Sequence, residues 1–325
     1  MSIDTSVTVV IPNWNRSELL RTCLTALGVQ TQSPTRVIVV DNGSTDDSVE
    51  MVHTEFPAVE VIALPENTGF SPAVHVGIAA TRTAFVALLN NDAVPAGTWL
   101  EELTACAARD SRLGSVNPKL LRLVDGEPSR LIDTFGDQYS IWGRPFPSGR
   151  DTVDAGQYDS GHRIFSASGG ASLYRVDMLR QIGNIDRRFV AYYEDTDLGF
   201  RSRLAGWEVG FCPAAVVYHH VGATSGGSRE PLVRRLVTKN ILVVYVKNMP
   251  WQLALKYLPL FVVTLSLQAA NCLRRGQIRA WLGGWGDFLR LLPEVLRDRR
   301  VVQAQRTIPL RELDAALWHG LAPRR

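Results

Sequence analysis

Short apolar runs, each closed by a polar cluster, recur through the first part of this chain. Val7 to Ile11 stops at Pro12-Asn13, and Val37 to Val40 stops at Asp41-Asn42-Gly43-Ser44. Val59 to Leu64 is a third run, and Phe85-Val86-Ala87-Leu88-Leu89 stops on Asn90-Asn91-Asp92. Runs of this length bounded by turn residues read as buried strands. Helical spacing fills the gaps between them: Ser17, as a cap, to about Val29; Asp47 to Glu55; and Ser71 to Ala80, with Pro72 at an allowed early position. A further helix ends at Arg109, and Thr98 with Glu101 is expected to open it as a capping box. Strands alternating with helices predict an α/β domain whose mostly parallel sheet is covered on both faces. In such sheets ligands bind beyond the carboxyl ends of the strands. The polar clusters are therefore where chemistry is expected.

The pattern then changes. Asp125 to Gly161 is rich in Gly, Pro, Asp and Ser and reads as long loops, with room for a hairpin, shaping one side of a site. Ser168-Gly169-Gly170-Ala171 leads into Leu173 to Leu179. Arg187 to Gly206 holds the densest acid cluster, Glu194, Asp195 and Asp197, and Val216-Val217-Tyr218 reads as a short strand ending at His219-His220. Past Ser228, residues 257–273 form an uncharged run of 17 that contains Pro259, Gln268 and Asn271. A spanning helix needs roughly 20 mostly apolar residues, so this run is marginal. Trp281, Trp285, Phe288 and Leu292 then fall on one helical face, with Arg279, Arg290, Arg297, Arg299 and Arg300 nearby, as in an interfacial membrane helix. The alternative is a helical hairpin packed on the preceding domain or on a second subunit, which leaves a homo-oligomer open. Two regions are expected, residues 1–228 and residues 229–325.

Charge supports that division. The net charge of +3 conceals 19 Lys and Arg against 27 Asp and Glu in residues 1–230, and 16 against 5 in residues 231–325. A basic tail implies an anionic partner. Its long apolar runs, with Trp281 and Trp285, suit an anionic membrane surface better than nucleic acid, so no nucleic-acid partner is expected. Cys23, Cys106, Cys212 and Cys272 have no metal spacing and suggest no disulfide framework, which fits a reducing compartment. Met1-Ser2-Ile3-Asp4 has no basic n-region and no leader-like apolar segment. The expected location is the cytoplasm, at the inner face of the cell membrane.

Four clusters carry candidate chemistry. A carboxylate at Asp41 can accept the N3–H of a uracil or thymine ring, with Trp14 stacked on it; Asp41 can equally cap a turn. Asp92 can bind a divalent cation that neutralises a departing diphosphate, but Asn90 and Asn91 are neutral, so further ligands are required. Glu194-Asp195 follows Tyr192-Tyr193, a setting that suits a general base taking the proton of an attacking hydroxyl. An acid there can also simply favour a helix N-terminus, a role that fits Asp197 better. His219 or His220 can complete the cation's shell, and spacing does not choose between them. No G-x-G-x-x-G follows a strand, which argues against a dinucleotide oxidoreductase. Asn13-Trp14-Asn15-Arg16 after the first strand is not the Gly-rich loop of a nucleotidyltransferase.

Taken in order, Val10-Ile11-Pro12-Asn13-Trp14-Asn15, Val40-Asp41-Asn42-Gly43-Ser44-Thr45-Asp46, Asn67-Thr68-Gly69-Phe70, Leu89-Asn90-Asn91-Asp92, Ser168-Gly169-Gly170, Tyr193-Glu194-Asp195-Thr196-Asp197-Leu198 and Tyr218-His219 resemble the family 2 inverting glycosyltransferases. The resemblance covers about residues 5–225 and is nearest to bacterial rhamnosyltransferase-like members that build cell-surface polysaccharides. It implies a GT-A (Rossmann-like) fold plus a C-terminal helical, membrane-associating region. It also implies a dTDP- or UDP-sugar donor, a glycan or glycolipid acceptor, and Mg²⁺ or Mn²⁺ as cofactor. By the same resemblance Pro12, Trp14 and Asp41 hold the base, Asn67 and Gly69 lie near the nucleotide, and Asn91 faces the ribose or donor sugar. Asp92 binds the metal, His219 is a further ligand, and Asp195 is the base with Glu194 beside it. Two positions depart from the family pattern: Asn91 replaces an acid often found before the metal Asp, and His75 stands where Asn is common.

Overall fold

The computed structural model describes residues 4–160, 162–220 and 230–321. Its first half follows the hydrophobic pattern: β1 (Val7–Asn13), α1 (Ser17–Gly28), β2 (Arg36–Asn42), α2 (Ser48–Glu55), β3 (Glu60–Leu64), α3 (Phe70–Ala79), β4 (Phe85–Leu88), a short β5 (Ala93–Pro95) and α4 (Trp99–Arg109). Then come β6 (Leu113–Val124), β7 (Glu127–Thr134), β8 (Asp137–Tyr139), β9 (Pro145–Pro147), β10 (Leu173–Arg175), α5 (Val176–Ile182), a 3-10 turn at Arg187–Phe189, α6 (Glu194–Leu204) and β11 (Glu208–His219). Four helices close the chain: α7 (Pro231–Asn248), α8 (Trp251–Arg274), α9 (Ile278–Ala304) and α10 (Leu310–Ala316).

β1 shows why the sheet is buried twice over. Val7, Val9 and Ile11 join one core with Leu20 and Leu24 of α1 and Trp99 of α4, while Val10 joins the opposite core with Val74 and Ile78 of α3. Successive side chains of a strand point to opposite faces, so an unbroken apolar run needs cover on both. β3, β2, β1 and β4 pair in parallel in that order. β1 lies between β2 and β4, so the crossovers leave it on opposite sides and open a crevice beyond the carboxyl ends of β1 and β4. Past β4 the sheet is mixed: β10 is antiparallel to both β4 and β6, β11 runs parallel to β6, and β5 closes the edge antiparallel to β11.

Several expectations change. The segment read as loops from Asp125 holds β7, paired antiparallel with β6, and the β8–β9 ribbon. The strand expected at Val216 begins at Glu208, with a register shift between Cys212 and Val216 where Pro213 interrupts the ladder. Ser17 does not cap α1; Arg16, at φ 67°, takes that place, and the Ser17 backbone NH donates to Asp46 Oδ2 at 3.1 Å. The capping box at α4 does not form, because Glu101 Oε2 instead accepts from Thr31 Oγ1 at 2.6 Å. The face of α9 expected to meet a membrane turns inward: Phe288 is buried in the C-terminal core, Trp285 and Leu292 pack against it, and Trp281 lies against Trp285. The boundary expected at residues 228/229 and the start at Met1 to Ile3 lie outside the described residues.

The C-terminal helices share a core with the sheet domain. Ile241, Val244 and Tyr245 of α7 form one apolar cluster with Tyr139, Phe165, Phe189 and Phe200. Tyr245 stacks on Phe261 of α8, with ring centroids 3.8 Å apart and planes within 5°.

Candidate active site

The crevice is built from strand ends tied to one another. Asn91 Nδ2 donates to Asn13 Oδ1 (2.7 Å), and Asn13 Nδ2 donates to Asp41 Oδ1 (3.2 Å). Asp41 Oδ2 accepts the Ser44 backbone NH at 3.0 Å, and Asp41 also accepts from the Ser44 hydroxyl. This relay joins the ends of β4, β1 and β2 and is almost wholly buried. Asp41 therefore does close a turn, and the NH2 of Asn91 is committed to the relay. Beside it Pro12 is half-buried, and Trp14, 47% exposed, stands out from the end of β1 as a free aromatic face. Next along, Asn67 Oδ1 accepts from Asn42 Nδ2 (3.0 Å) and from the Gly69 NH (2.9 Å). Gly43 (φ 73°) lies against this turn so closely that a Cβ would fall 2.6 Å from the backbone of Glu66, so only glycine fits.

At the far side of the crevice β5 brings β11 to the end of β4. His220 donates its backbone NH to the Asp92 carbonyl (2.9 Å), while His219 Nε2 lies 3.1 Å from Asp92 Oδ1. The geometry thus separates the two histidines. His219 Nδ1 is 2.9 Å from Asp133 Oδ2, and Arg150 pairs with the other oxygen of Asp133 at 2.5 Å. Burial alone would push the His219 pKa down, but the hydrogen bonds and charges of Asp133 and Asp92 outweigh it and lift it to about 10. Burial likewise opposes ionisation of Asp133, yet His219 and Arg150 bring its carboxyl down to about 2.

A carboxylate oxygen and an imidazole nitrogen suit a hard or borderline divalent cation. Their separation of 3.1 Å is close to the roughly 3 Å between neighbouring ligands of an octahedral ion bonded at about 2.1 Å. Asp133 is the carboxylate that commonly fixes a ligating imidazole through its other nitrogen. Among the described residues no group of three His, Cys, Asp or Glu side chains could hold an ion unaided. A bound cation would need oxygens from a phosphate or water as well.

Glu194 and Asp195 open α6 directly after Tyr192 and Tyr193. Asp195 Oδ1 accepts the Thr196 NH (2.7 Å), and Oδ2 accepts the Gly169 NH (3.3 Å). One residue on, the Gly170 carbonyl accepts the Asn90 NH at 2.8 Å, so the Ser168-Gly169-Gly170 segment ties Asp195 to the end of β4. Glu194 is buried, with Ser71 Oγ of α3 3.3 Å from its Oε2. Burial and then the neighbouring Asp195 charge raise its pKa to about 8, and burial raises that of Asp195 as well. Asp197, buried too, pairs with Arg201 (2.9 Å) and Lys247 (2.8 Å) and is structural.

The fold thus collects Asp92, His219, Asn91 and Asp195 around one crevice, with Trp14, Asn67 and Gly69 along the β1–β2 side. Sequence reasoning missed Asn13, the hub of the relay, and Asp133. Asn13 stood within a recognised motif. Asp133 carried no signal, since its partner is 86 residues away.

The chain is 29% identical to an N-acetylglucosaminyl-diphospho-decaprenol L-rhamnosyltransferase of Mycobacterium tuberculosis over 242 residues, 69% of this chain and 78% of that one. A pre-mycofactocin glycosyltransferase of the same organism is 28% identical over 95% of this chain, which spans 60% of that relative's length. Among solved structures, S. aureus TarS 1–349 in complex with UDP-GlcNAc superposes with a TM-score of 0.59 at 16% identity, over 92% of this chain and 88% of that one. GalNAc-T7 with UDP, GalNAc and Mn²⁺ does so with a TM-score of 0.58 at 16% identity, over 76% of this chain and 48% of that one. The fold is therefore GT-A, as expected. The family model for glycosyl transferase family 2 matches residues 8–183, more than half of the chain, and the protein is a glycosyltransferase belonging to that family.

Proposed function

We propose that this enzyme is an inverting transferase that moves a sugar, with rhamnose the first candidate, from a dTDP- or UDP-sugar to a hydroxyl of a lipid-linked or cell-surface glycan acceptor. The observation that carries this reading is the placement of Asp195. Its carboxylate sits half-buried at the crevice and is tethered through Gly169 and Gly170 to the strand end that bears Asp92. In the proposed reaction Asp195 takes the acceptor's hydroxyl proton, the freed oxygen forms a bond to the anomeric carbon, and the bond from that carbon to the nucleotide diphosphate breaks on the opposite face. Burial and then the Asp195 charge favour the proton on Glu194, which leaves the base role to Asp195 in this reading. Trp14 offers a stacking face for the base. Asp92 and His219 would hold Mg²⁺ or Mn²⁺, which when bound supplies positive charge to the diphosphate. The likeness to a decaprenol-linked rhamnosyltransferase supports the rhamnose and lipid-linked assignments.

We also infer a division of labour, with residues 1–228 for transfer and residues 229–325 for docking at the cytoplasmic face of an anionic membrane. α8 is long and apolar enough to cross a membrane, but Leu253, Tyr257, Phe261 and Cys272 on one side of it are buried in protein. Its other side exposes Trp251, Leu255, Leu258 and Val262. A helix with one face in protein and one free suits lying on a membrane rather than spanning it.

Removing a positioned general base typically costs ~10²–10⁴-fold in rate. Asp195→Asn should lose turnover on that scale in a nucleotide-release assay over a panel of sugar nucleotides, while dTDP or UDP still binds. Wild-type turnover in this variant would overturn the assignment, and the same panel run with EDTA reads the metal requirement.

A further inference from the structure

α7 carries two Lys-Asn pairs, Lys239-Asn240 and Lys247-Asn248, and all four side chains are buried. Buried lysines are rare unless paired, and here every partner belongs to the segment that presents the acid pair. Lys239 Nζ donates to the carbonyls of Arg188 and Phe189. Asn240 Nδ2 lies 3.1, 2.8 and 2.7 Å from the carbonyls of Phe189, Ala191 and Tyr192. Seven residues further on, and so on the same helical face, Lys247 Nζ reaches Asp186 and Asp197 (2.8 Å each), and Asn248 Nδ2 reaches Asp197 Oδ1 (2.8 Å).

The gripped backbone is strained. Val190, Tyr192 and Tyr193 have φ of 66°, 72° and 72°. Positive φ is an outlier for a β-branched residue, costs on the order of 1–3 kcal/mol, and persists only where the surroundings over-determine it. On one side the α3 N-terminus supplies restraint: Val190 O accepts the Ser71 NH at 2.9 Å, and a Cβ at Gly69 would fall 2.5 Å from Val190 Cγ1. On the other side stands Asn240. Three carbonyls around one nitrogen fix the orientation of its amide, and its Oδ1 is left buried without a partner. Burying an unpartnered acceptor costs about 1–3 kcal/mol, and an apolar residue of similar size would take this donor from the Ala191 and Tyr192 carbonyls instead.

We infer that Asn240, with Lys239, is a positioning residue for catalysis: it holds the strained Val190–Tyr193 backbone in the one conformation that delivers Asp195 to the crevice. The inference rests on reading Asp195 as the base. It makes the first C-terminal helix part of the transfer machinery as well as of the docking region.

The test uses the full chain, reading nucleotide release from dTDP-rhamnose, or from the panel donor that supports turnover, together with dTDP affinity and thermal stability. A misplacement of about 1 Å can cost about 10²-fold, so Asn240→Ala should lower kcat on that scale while donor KM and dTDP affinity change by no more than about threefold. Lys239→Met should split kcat from KM in the same way, and Lys239→Arg, which keeps the donors, should restore most of the rate. A folded Asn240→Ala enzyme with kcat within about twofold of wild type, or with dTDP affinity lost in step with kcat, overturns the inference. If Asn240→Ala does not fold, the Lys239 pair decides by the same two criteria. Asp195→Asn measured alongside keeps the two ideas apart: an active Asp195→Asn removes the base assignment, whereas an inactive one beside a fully active Asn240→Ala removes only the positioning role.

Discussion

Glu194 holds a proton that an exposed glutamate would already have lost. Its carboxyl titrates near 4.5 in an unperturbed setting and near 8 in the fold. Between those values the folded state binds more protons than the unfolded chain, so stability should fall as pH rises from about 4.5 towards 8 and level off above. Glu194→Gln should remove most of that slope and be the more stable form at pH 8. Urea unfolding of both proteins at several pH values checks this, and parallel curves would contradict the assignment. Burial acts on Asp195 in the same direction, so the acid limb of kcat/KM should lie above the ordinary aspartate range. At the other side of the crevice Asp133 fixes the His219 ring. Losing such a partner typically weakens metal binding by 10–100-fold. Asp133→Asn should do so for Mn²⁺ titrated calorimetrically with UDP present, whereas equal affinity would leave Asp133 a purely structural acid. Asp92 and Asp195 could be singled out as candidates from the sequence because one follows an apolar strand run and the other stands in a dense acid cluster at a helix start. Asp133 could not be, because its role exists only once β7 and β11 have both paired with β6.

The same contrast holds for elements. β1 to β4 are legible because both faces of each strand meet apolar helices, so hydrophobicity alone marks them. β6 is not, because it carries Asn117, Pro118 and Lys119 at buried positions. Those residues are satisfied only in three dimensions: Asn117 Oδ1 accepts the Ser168 NH (2.8 Å), and Lys119 pairs with Asp154 (2.9 Å) and Asp159 (2.7 Å). α9 was legible as amphipathic, but its two faces were exchanged, since large aromatics fill a protein core as readily as they enter a bilayer. Leu282, Leu289 and Leu296 form its exposed row, with the exposed Arg279, Arg290 and Arg297 nearby, and this is the face to test against lipid. Burying a leucine is worth about 1.5–3 kcal/mol. Leu282→Glu with Leu289→Glu should therefore cut co-sedimentation with phosphatidylglycerol vesicles at least about tenfold, with donor turnover in solution retained. Unchanged sedimentation would exclude this face.

At the scale of the whole molecule the two regions differ in charge but are joined in structure. The net negative half and the net positive half meet through Asp186, which pairs with Lys247 of α7, and Arg188, which pairs with Glu294 and Asp298 of α9. Around these pairs Ile241, Leu242, Val243, Val244 and Tyr245 are buried in a cluster that includes Phe189 and Phe200 of the sheet domain. At about 1.5–3 kcal/mol for each fully buried side chain, those five alone are comparable to the 5–15 kcal/mol that separates most folded domains from their unfolded chains. A basic membrane tail hung on an autonomous catalytic domain would behave differently from this arrangement. Cut after residue 230, such a domain would stay soluble and keep its activity on a water-soluble acceptor. Here the same truncation should expose Phe189 and Phe200 and release the strained turn before Asp195. The shortened chain should then aggregate or lose its cooperative thermal transition, with no turnover. A truncated protein that melts cooperatively and releases nucleotide at the full-length rate would show that the shared core is dispensable.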